Sequence, residues 1–213
     1  MATSLGRRIL LIGGGGHCRS VIDSILSLNA YDDIGIIDYV DSQVLGVPVI
    51  GNDNDIPRLK DEGWTDAFIT VGSIGNTTLR RELFEMVMGI GLNTPSVIDP
   101  YAIVARGTNI CKGVYIGKRA VINTGSRIGT GAIINTGSII EHDCKVDEFS
   151  HISPGVTLCG QVYVGEDSHV GAGSVVRQQI KIGDNVLIGA GSVVVKDIPN
   201  GVKAYGNPCR VVS

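Results

Sequence analysis

The chain has 213 residues, of which 43% are hydrophobic and 18% charged, enough apolar material for one or two buried cores. Its formal net charge of −3 argues against a nucleic-acid-binding surface, although local cations could still bind a phosphate-bearing small ligand. Five cysteines without a Cys-x-x-Cys pair indicate free, buried thiols in a reducing compartment. We expect a cytoplasmic protein, because the apolar run at 9–12 is too short for a signal peptide or a membrane span.

The residues before about 95 alternate short apolar runs with helical patterns. Strands are predicted over 9–12, 34–37 and 67–71, and helices over 20–28, 56–62 and 79–90. The apolar sides of the two longer helices would include Leu26, Leu28 and Leu79. This alternation is typical of a small Rossmann-like α/β domain with a parallel sheet, which we place at residues 1–94.

A run of four glycines follows the first strand and precedes the first helix, where backbone N–H groups can approach a phosphate or ribose. The spacing does not fit the dinucleotide fingerprint, because Cys18 stands where the last glycine is required. The run therefore indicates either a site for one nucleotide or a tight turn that binds nothing. The acidic stretch at 53–55 is interpreted as a solvated loop.

Other residues at the same edge of the predicted sheet complete this candidate site. Asp38 ends the second strand at the spacing used for a ribose or base contact, whereas His17 is equally suited to capping the helix. The predicted substrate-binding residues are Gly13, Gly14, Gly15, Gly16, His17, Asp38, Gly72, Ser73 and Asn76.

From Ile98 to Val194 every sixth residue is aliphatic, without an interruption. The fifth place of each six-residue unit is small or β-branched, as in Ala120 and Ser150, and glycine recurs in the second place. A fixed short period means a stacked coil in which each turn buries its apolar row on the next. We therefore predict an all-β coil over residues 95–213. It has no long loop, so any chemistry must come from its wall or from a neighbouring subunit.

Two histidines of the coil, His142 and His151, depart from the repeat and are candidates for chemistry. Imidazole suits proton transfer at neutral pH, and either Glu141 or Asp143 could orient His142. The alternative is a surface histidine with acidic neighbours. We interpret His169 as a surface residue.

Two further interpretations of this region involve its cysteines. A metal site of His142, His151 and Cys144 is an alternative that no tight ligand spacing supports. A cysteine nucleophile at Cys144 or Cys159 is another, although the small fifth place of the repeat already explains Cys144. We predict no metal.

Several segments resemble a known family. They are IGGGGH at 12–17, ID at 37–38, NTGSIIEHDC at 135–144, FSHISPG at 149–155 and YGNPCRV at 205–211. Residues 98–213 resemble the hexapeptide acyltransferases, whose coils form a left-handed parallel β-helix. The whole chain resembles bacterial sugar acetyltransferases that carry a nucleotide-binding α/β domain in front of the coil. These include bacillosamine-pathway and perosamine N-acetyltransferases and the sialic acid O-acetyltransferase type.

The resemblance implies a homotrimer with acetyl-CoA between adjacent coils. It also implies that His142 is the general base and that Asp143, where several relatives have Glu, orients it. His151 would line the acetyl-CoA or substrate pocket, and the backbone around Gly160, Ala172 and Ala190 would hold the pantetheine arm. The front domain would hold the nucleotide of a nucleotide-linked sugar.

The function implied is acetyl transfer from acetyl-CoA to the 4-amino group of a UDP- or GDP-linked 4-amino-4,6-dideoxy sugar. Two alternatives stay open. One is O-acetylation of a sialic acid or related sugar, and the other is a non-catalytic trimeric scaffold or nucleotide sensor. A nucleic-acid or membrane partner is not expected.

Overall fold

The computed structural model describes residues 6–212. Contacts divide them into two compact units. The first runs to Gly72 and resumes over Thr78–Val97, and the second comprises Ser73–Thr77 and the described residues from Ile98 onward. Within residues 6–212, no helix has the length and apolar character needed to cross a membrane.

The first unit is a five-stranded sheet with three helices. Its elements are β1 (Arg8–Ile12), α1 (Gly16–Leu28), β2 (Asp33–Ile37), β3 (Gln43–Val44), β4 (Val47–Gly51), α2 (Ile56–Asp61), β5 (Asp66–Ile69) and α3 (Thr78–Ile90), with a 3₁₀ turn at Asp53–Asp55. The strand order is β3-β4-β2-β1-β5, in which β1 pairs in parallel with β2 and β5. The predicted alternation of strands and helices is confirmed.

Three details of this unit differ from the prediction. Helix α1 begins at Gly16, because the end of the glycine run forms its first turn. It ends at Leu28 and is capped by Asn29 in the left-handed conformation. The side chains of Leu26, Leu28 and Leu79 are exposed. The hairpin of β3 and β4 was not predicted, because Pro48 in its second strand argues against a strand.

The second unit is built from two-residue strands. They are β6 (Val97–Ile98), β7 (Ile103–Val104), β8 (Asn109–Ile110), β9 (Tyr115–Ile116), β10 (Val121–Ile122), β11 (Arg127–Ile128), β12 (Ile133–Ile134), β13 (Ile139–Ile140), β14 (Lys145–Val146), β15 (His151–Ile152), β16 (Thr157–Leu158), β17 (Tyr163–Val164), β18 (His169–Val170), β19 (Val175–Val176), β20 (Lys181–Ile182), β21 (Leu187–Ile188) and β22 (Val193–Val194). Two later strands, β23 (Lys203–Tyr205) and β24 (Arg210–Val211), close the coil.

These strands form three parallel sheets, because each strand pairs with the one three repeat units further on, so that three units make one full coil. We name the sheets by the residues that face outward from them. The apolar sheet is β7, β10, β13, β16, β19 and β22, and the charged sheet is β8, β11, β14, β17 and β20. The covered sheet contains β6, β9, β12, β15, β18, β21, β23 and β24, and several of its outward side chains, including Tyr115 and Ile133, are buried.

The interior of the coil explains the six-residue repeat. The second residue of each strand points inward, and from Ile116 to Val194 these aliphatic side chains are fully buried. Serines in the fifth place form a hydrogen-bonded ladder, in which Ser150 Oγ donates to the Gly165 carbonyl and accepts from Ser168 N. The buried hydroxyls of this ladder therefore have partners, as burial requires.

Glycine has two separate roles in the turns. A Cβ on Gly129, in the second place, would stand 2.7 Å from the backbone of the next coil, so this place needs a close approach. The fourth place takes a positive φ in every unit from Gly107 to Gly191, including non-glycine residues such as Asp143. Only the second place was predicted from the sequence.

Candidate active site

His142 lies in the turn between β13 and β14, at the corner that joins the apolar and charged sheets. Its Nδ1 is 2.9 Å from Asp143 Oδ2, and both side chains are about half exposed, at 55% and 56%. The carboxylate accepts a hydrogen bond, so Nδ1 carries the proton and Nε2 is the nitrogen that can accept another. Asp143 has a φ of 58°, in a place where the preceding coil has Gly125 and the next coil has Gln161.

Glycines on the adjacent coils make room for this pair. A Cβ at Gly160, on the next coil, would stand 2.5 Å from His142 Nε2. A Cβ at Gly125, on the preceding coil, would stand 2.3 Å from Asp143 Oδ1. Gly125 was not predicted, although its position one full coil before Asp143 is the signal that identifies it.

Glu141 does not contact the imidazole through its carboxylate. Its Oε2 accepts a hydrogen bond of 2.9 Å from Asn123 Nδ2, on the preceding coil. The structure therefore places Asp143, of the two acidic neighbours, in the orienting position.

An open groove of about 570 Å³ begins at the imidazole and follows the corner of the coil. Its lining residues are Glu141, His142, Cys159, Gly160, Gln161, Gln178 and Gln179. A second groove of about 400 Å³ shares Gln178 and Gln179 and extends to Arg177 and Lys196. Together the two grooves suit an elongated ligand, with His142 at one end and the side chains of Arg177, Lys196 and Asp197 at the other.

The structure gives no support to a nucleophile at Cys144 or to a metal site, whereas Cys159, the other cysteine candidate, lines the groove beside His142. Cys144 is buried, its Sγ donates to the Cys159 carbonyl, and burial raises its pKa to about 11, so it is not a thiolate at neutral pH. All five cysteines are free, although Cys111 and Cys159 are only partly buried. Across residues 6–212, no three His, Cys, Asp or Glu side chains gather into a metal site.

His151 lies on the covered sheet, away from the corner that carries His142. Its Nδ1 donates to the Ser73 carbonyl at 3.1 Å, and Asn135 Nδ2 donates to its Nε2 at 3.2 Å. A carbonyl requires a donor, so both ring nitrogens are engaged in the neutral form.

The prediction that His169 lies on the surface is wrong. It is the strand partner of His151 on the next coil, so it packs edge to face against that ring at a centroid distance of 4.9 Å, and only 8% of it is exposed. Its Nε2 is 3.3 Å from Ser153 Oγ, and its buried Nδ1 has no hydrogen-bond partner among the described residues. Desolvation by burial lowers the pKa of His169.

The residues predicted to hold acetyl-CoA do not come together within one chain. Gly160 lies beside His142, because the two are one full coil apart and share a corner. Ala172 and Ala190 are also one full coil apart, but they lie at the corner between the covered and apolar sheets. His151 lies on the covered sheet.

In the first unit, the glycine turn is fastened to the end of β2. Gly14 N donates to Asp38 Oδ2 at 2.6 Å, and Val40 N donates to Oδ1 at 3.1 Å. The hydrogen bond from Gly14 lowers the pKa of Asp38. A Cβ at Gly15 or Gly16 would meet nothing within 4 Å, so open space lies at the N-terminus of α1, where backbone N–H groups favour anions.

The remaining predicted substrate residues divide between the two units. Gly72 lies near the Cβ of His17, at the same edge of the sheet as the glycine turn. Ser73 and Asn76 belong to the second unit, where the Ser73 carbonyl accepts from His151.

A small cleft adjoins the glycine turn, and part of its lining was not predicted. It has a volume of about 150 Å³ and is lined by Ile12, Gly13, Ile37, Asp38, Tyr39, Asp53, Val71, Leu79 and Leu83. The sequence pattern around Asp53 indicates a solvated loop, but this residue lines the cleft. The signal for Tyr39 is its position directly after Asp38.

Comparison with known proteins is consistent with both units. The PglD N-terminal domain family matches residues 8–87, and the bacterial transferase hexapeptide (six repeats) family matches residues 161–196. The crystal structure of PerB from Caulobacter crescentus, in complex with CoA and GDP-perosamine, is 35% identical with a TM-score of 0.92. That match covers 100% of both chains.

This chain belongs to the hexapeptide-repeat aminosugar acetyltransferases. The acetyltransferase domain of PglB from Neisseria gonorrhoeae FA1090, in complex with acetyl coenzyme A, is 36% identical with a TM-score of 0.92. The match covers 98% of this acetyltransferase and 100% of that chain. The predicted fold class, an α/β unit followed by a left-handed parallel β-helix, and the predicted family are confirmed.

Proposed function

We propose that this acetyltransferase transfers the acetyl group of acetyl-CoA to the 4-amino group of a nucleotide-linked 4-amino-4,6-dideoxy sugar. The observation that carries the proposal is the His142–Asp143 pair at 2.9 Å at the head of an open groove. The relatives bind corresponding molecules, namely GDP-perosamine with the product CoA in one structure and acetyl coenzyme A in another.

A feature of the relatives supports His142 as the general base. Two further structures of the C. crescentus N-acetyltransferase carry asparagine or alanine in place of one histidine. The number of that position differs by one from that of His142, and the match spans the whole of both chains. We therefore assign the same position to His142.

The reaction follows from the tautomer of the pair. The sugar amine attacks the thioester carbonyl carbon, and its nitrogen gives a proton to Nε2 of His142 as the C–N bond forms. Asp143 stabilises the imidazolium through Nδ1–H. The C–S bond then breaks, and the sulfur of coenzyme A takes a proton from the imidazolium, which restores the neutral ring. Holding both substrates at one corner also supplies a large part of the acceleration.

The groove gives acetyl-CoA an orientation. Its thioester would lie at His142 and Gly160, and its phosphates would lie toward Arg177 and Lys196, whose charges suit them. Ala172 and Ala190 are at a different corner of the same chain. We propose that Ala172, Ala190 and His151, which lies on the adjoining sheet, help to bind the acetyl-CoA or the substrate that a neighbouring subunit holds.

A homotrimer would supply that neighbour, and the apolar sheet supports it. Ile103, Ile139 and Val175 face outward from this sheet and are 64%, 36% and 40% exposed. An exposed row of aliphatic side chains is typical of a subunit interface.

Val175→Glu should give monomers in light scattering and lose acetyl transfer, whereas Lys181→Glu on the charged sheet should leave a trimer. A trimeric Val175→Glu variant would contradict this assembly.

We propose further that residues 1–94 form the domain that holds the nucleotide, through Gly13 to His17, Asp38 and the rim at Gly72, Ser73 and Asn76. Residues 95–213 form the catalytic domain. The free cysteines are consistent with a cytoplasmic enzyme. Its product would be an acetylated sugar donor for polysaccharide biosynthesis.

A mass-spectrometric screen tests the function. The protein is incubated with acetyl-CoA and a panel of UDP- and GDP-linked 4-amino-4,6-dideoxy sugars, and the product should gain one acetyl group on nitrogen. An acetyl group on a hydroxyl would establish the O-acetyltransferase alternative. Absence of product together with absence of heat on titration with acetyl-CoA would indicate a non-catalytic scaffold.

A further inference from the structure

The cleft beside the glycine turn contains a carboxylate oxygen with no partner among the described residues. Asp53 Oδ2 accepts a hydrogen bond of 3.2 Å from the hydroxyl of Tyr39. Asp53 Oδ1 makes no hydrogen bond within the part of the chain that the structure describes. Asp38, which lines the same cleft, differs because both of its oxygens accept backbone hydrogen bonds. Asp53 is thus the acidic group left to bind something else.

The other walls of the cleft suit a flat aromatic ring. Ile12, Ile37, Val71 and Leu83 line it with aliphatic surface, and Leu79 adds a further apolar side chain. Tyr39 also lines the cleft, and 72% of it is exposed. An exposed tyrosine held in place by a hydrogen bond offers a stacking surface, and bases stack on aromatic side chains.

The backbone that carries Asp53 is fixed before any ligand arrives. Asn52 caps the 3₁₀ turn at Asp53–Asp55, with Asn54 N donating to Asn52 Oδ1 at 3.0 Å and Asn52 N donating to Asp55 Oδ2 at 3.0 Å. This reciprocal capping holds the turn rigid. Asp53 therefore presents its carboxylate in a set position, as a specificity residue must.

We propose that this cleft binds the base of the nucleotide and that Asp53 selects guanine over uracil. The proposal rests on the proposed function, in which the first unit holds the nucleotide of the sugar donor. The Watson–Crick edge of guanine presents two adjacent donors, N1–H and the 2-amino group, and a carboxylate accepts both. Uracil presents one N–H between two carbonyl oxygens, which the carboxylate repels.

Titration calorimetry on the full chain with GDP, UDP and IDP tests this choice. IDP is the matched ligand, because its base keeps N1–H and lacks only the 2-amino group. We expect GDP to bind about 10- to 100-fold more tightly than UDP, the range of one good charged, bidentate contact to a base. IDP should fall between them.

Asp53→Asn should weaken GDP by a similar factor and bring the GDP-to-IDP ratio close to one. It should bind UDP at least as tightly as the unmodified protein does, because the carboxylate that repels the uracil oxygens is gone. Asp61→Asn is the matched control, since Asp61 is exposed at the end of α2 and outside the cleft. It should leave all three affinities as they are. Thermal melting of each variant establishes that it is folded.

Two results would overturn the inference while leaving the proposed function in place. One is UDP binding to the unmodified protein as tightly as GDP. The other is a GDP-to-IDP ratio that Asp53→Asn does not change. If no nucleoside diphosphate binds, both the inference and the nucleotide-binding role of the first unit fail.

Discussion

The coil carries histidines in two opposed environments. His142 stands at an open corner, half exposed, with a carboxylate 2.9 Å from its Nδ1. His151 and His169 pack edge to face on the covered sheet, where His151 is held between a carbonyl and an amide and His169 is 8% exposed. The position of a histidine on the coil therefore decides whether its ring is free to exchange a proton with a ligand.

Proton acceptance shows the physical basis of that contrast. At His142 the side chain is half exposed, and Asp143 Oδ2 lies 2.9 Å from Nδ1. At His151 a proton on Nε2 would face the amide of Asn135, which itself donates to that nitrogen. At His169 burial opposes the charge and lowers the pKa. Of these three, His142 alone combines an accessible nitrogen with an acidic partner.

The largest expected effect is that of His142→Ala. Loss of a general base should lower kcat/KM for the aminosugar by about 10² to 10⁴. The melting temperature should be unchanged, because the side chain is half exposed and is paired with an exposed carboxylate. Steady-state kinetics and thermal melting check both parts. Turnover within a few-fold of that of the unmodified enzyme would show that His142 is not the general base.

Gly160→Ala should have the next largest effect. The added Cβ would stand 2.5 Å from Nε2 and force the imidazole out of position, so we expect a loss of activity of about 100-fold. Gly89→Ala is a matched control, because a Cβ there meets nothing within 4 Å. Full activity in a folded Gly160→Ala variant would show that the observed ring position is not the reactive one.

Asp143→Asn should lower kcat by about 10-fold. An amide does not stabilise the imidazolium as a carboxylate does, but the pair is exposed, so the effect should be smaller than in a buried triad. Glu141→Gln is the comparison variant, since Glu141 bonds to Asn123 instead. A larger loss in Glu141→Gln would transfer the orienting role to Glu141.

His151→Leu should lower the free energy of unfolding. It would leave the Ser73 carbonyl and the Asn135 amide without this partner, at a cost of about 1–3 kcal/mol in the free energy of unfolding. Urea titration measures this cost. A variant of full stability whose activity collapses as in His142→Ala would place His151 among the catalytic groups instead.

The smallest effect concerns pH. The pKa of His169 is lower in the folded state than its ordinary value of 6.5, so on acidification the unfolded state binds a proton first. Stability should therefore fall as the pH drops below about 6.5, by no more than about 1.4 kcal/mol per pH unit from this group. His169→Gln should reduce that slope in urea titrations from pH 7 to pH 5. If the variant keeps the same dependence of stability on pH, burial of His169 is not its cause.

The repeat made the coil and its inward rows predictable, because burial of one aliphatic side chain in each unit follows directly from the sequence. It also made His142 visible as a departure from the pattern. It did not reveal that His169 is buried, because the period gives a residue's place in its unit but not which of three sheets becomes covered. That depends on distant contacts such as the one from Ser73.

The stacking of one coil on the next accounts for the rest of the site. It joins His142 to Gly160 and Asp143 to Gly125, and it separates both pairs from Ala172. In the first unit the helices and the strands β1, β2 and β5 were predictable, but the hairpin of β3 and β4 was not. The place of Asp53 in the cleft depends on how a capped turn packs, which no local pattern records.

Chemical rescue tests the central role of His142 most directly. Imidazole is added to the folded His142→Ala variant with both substrates at saturation, and N-acetylated product is measured over a range of pH. We predict that the rate rises with imidazole concentration and follows its neutral form, because the half-exposed site is open to a small base. A variant that keeps the activity of the unmodified enzyme without imidazole, with a rate that imidazole does not change, would contradict the assignment of His142 as the base.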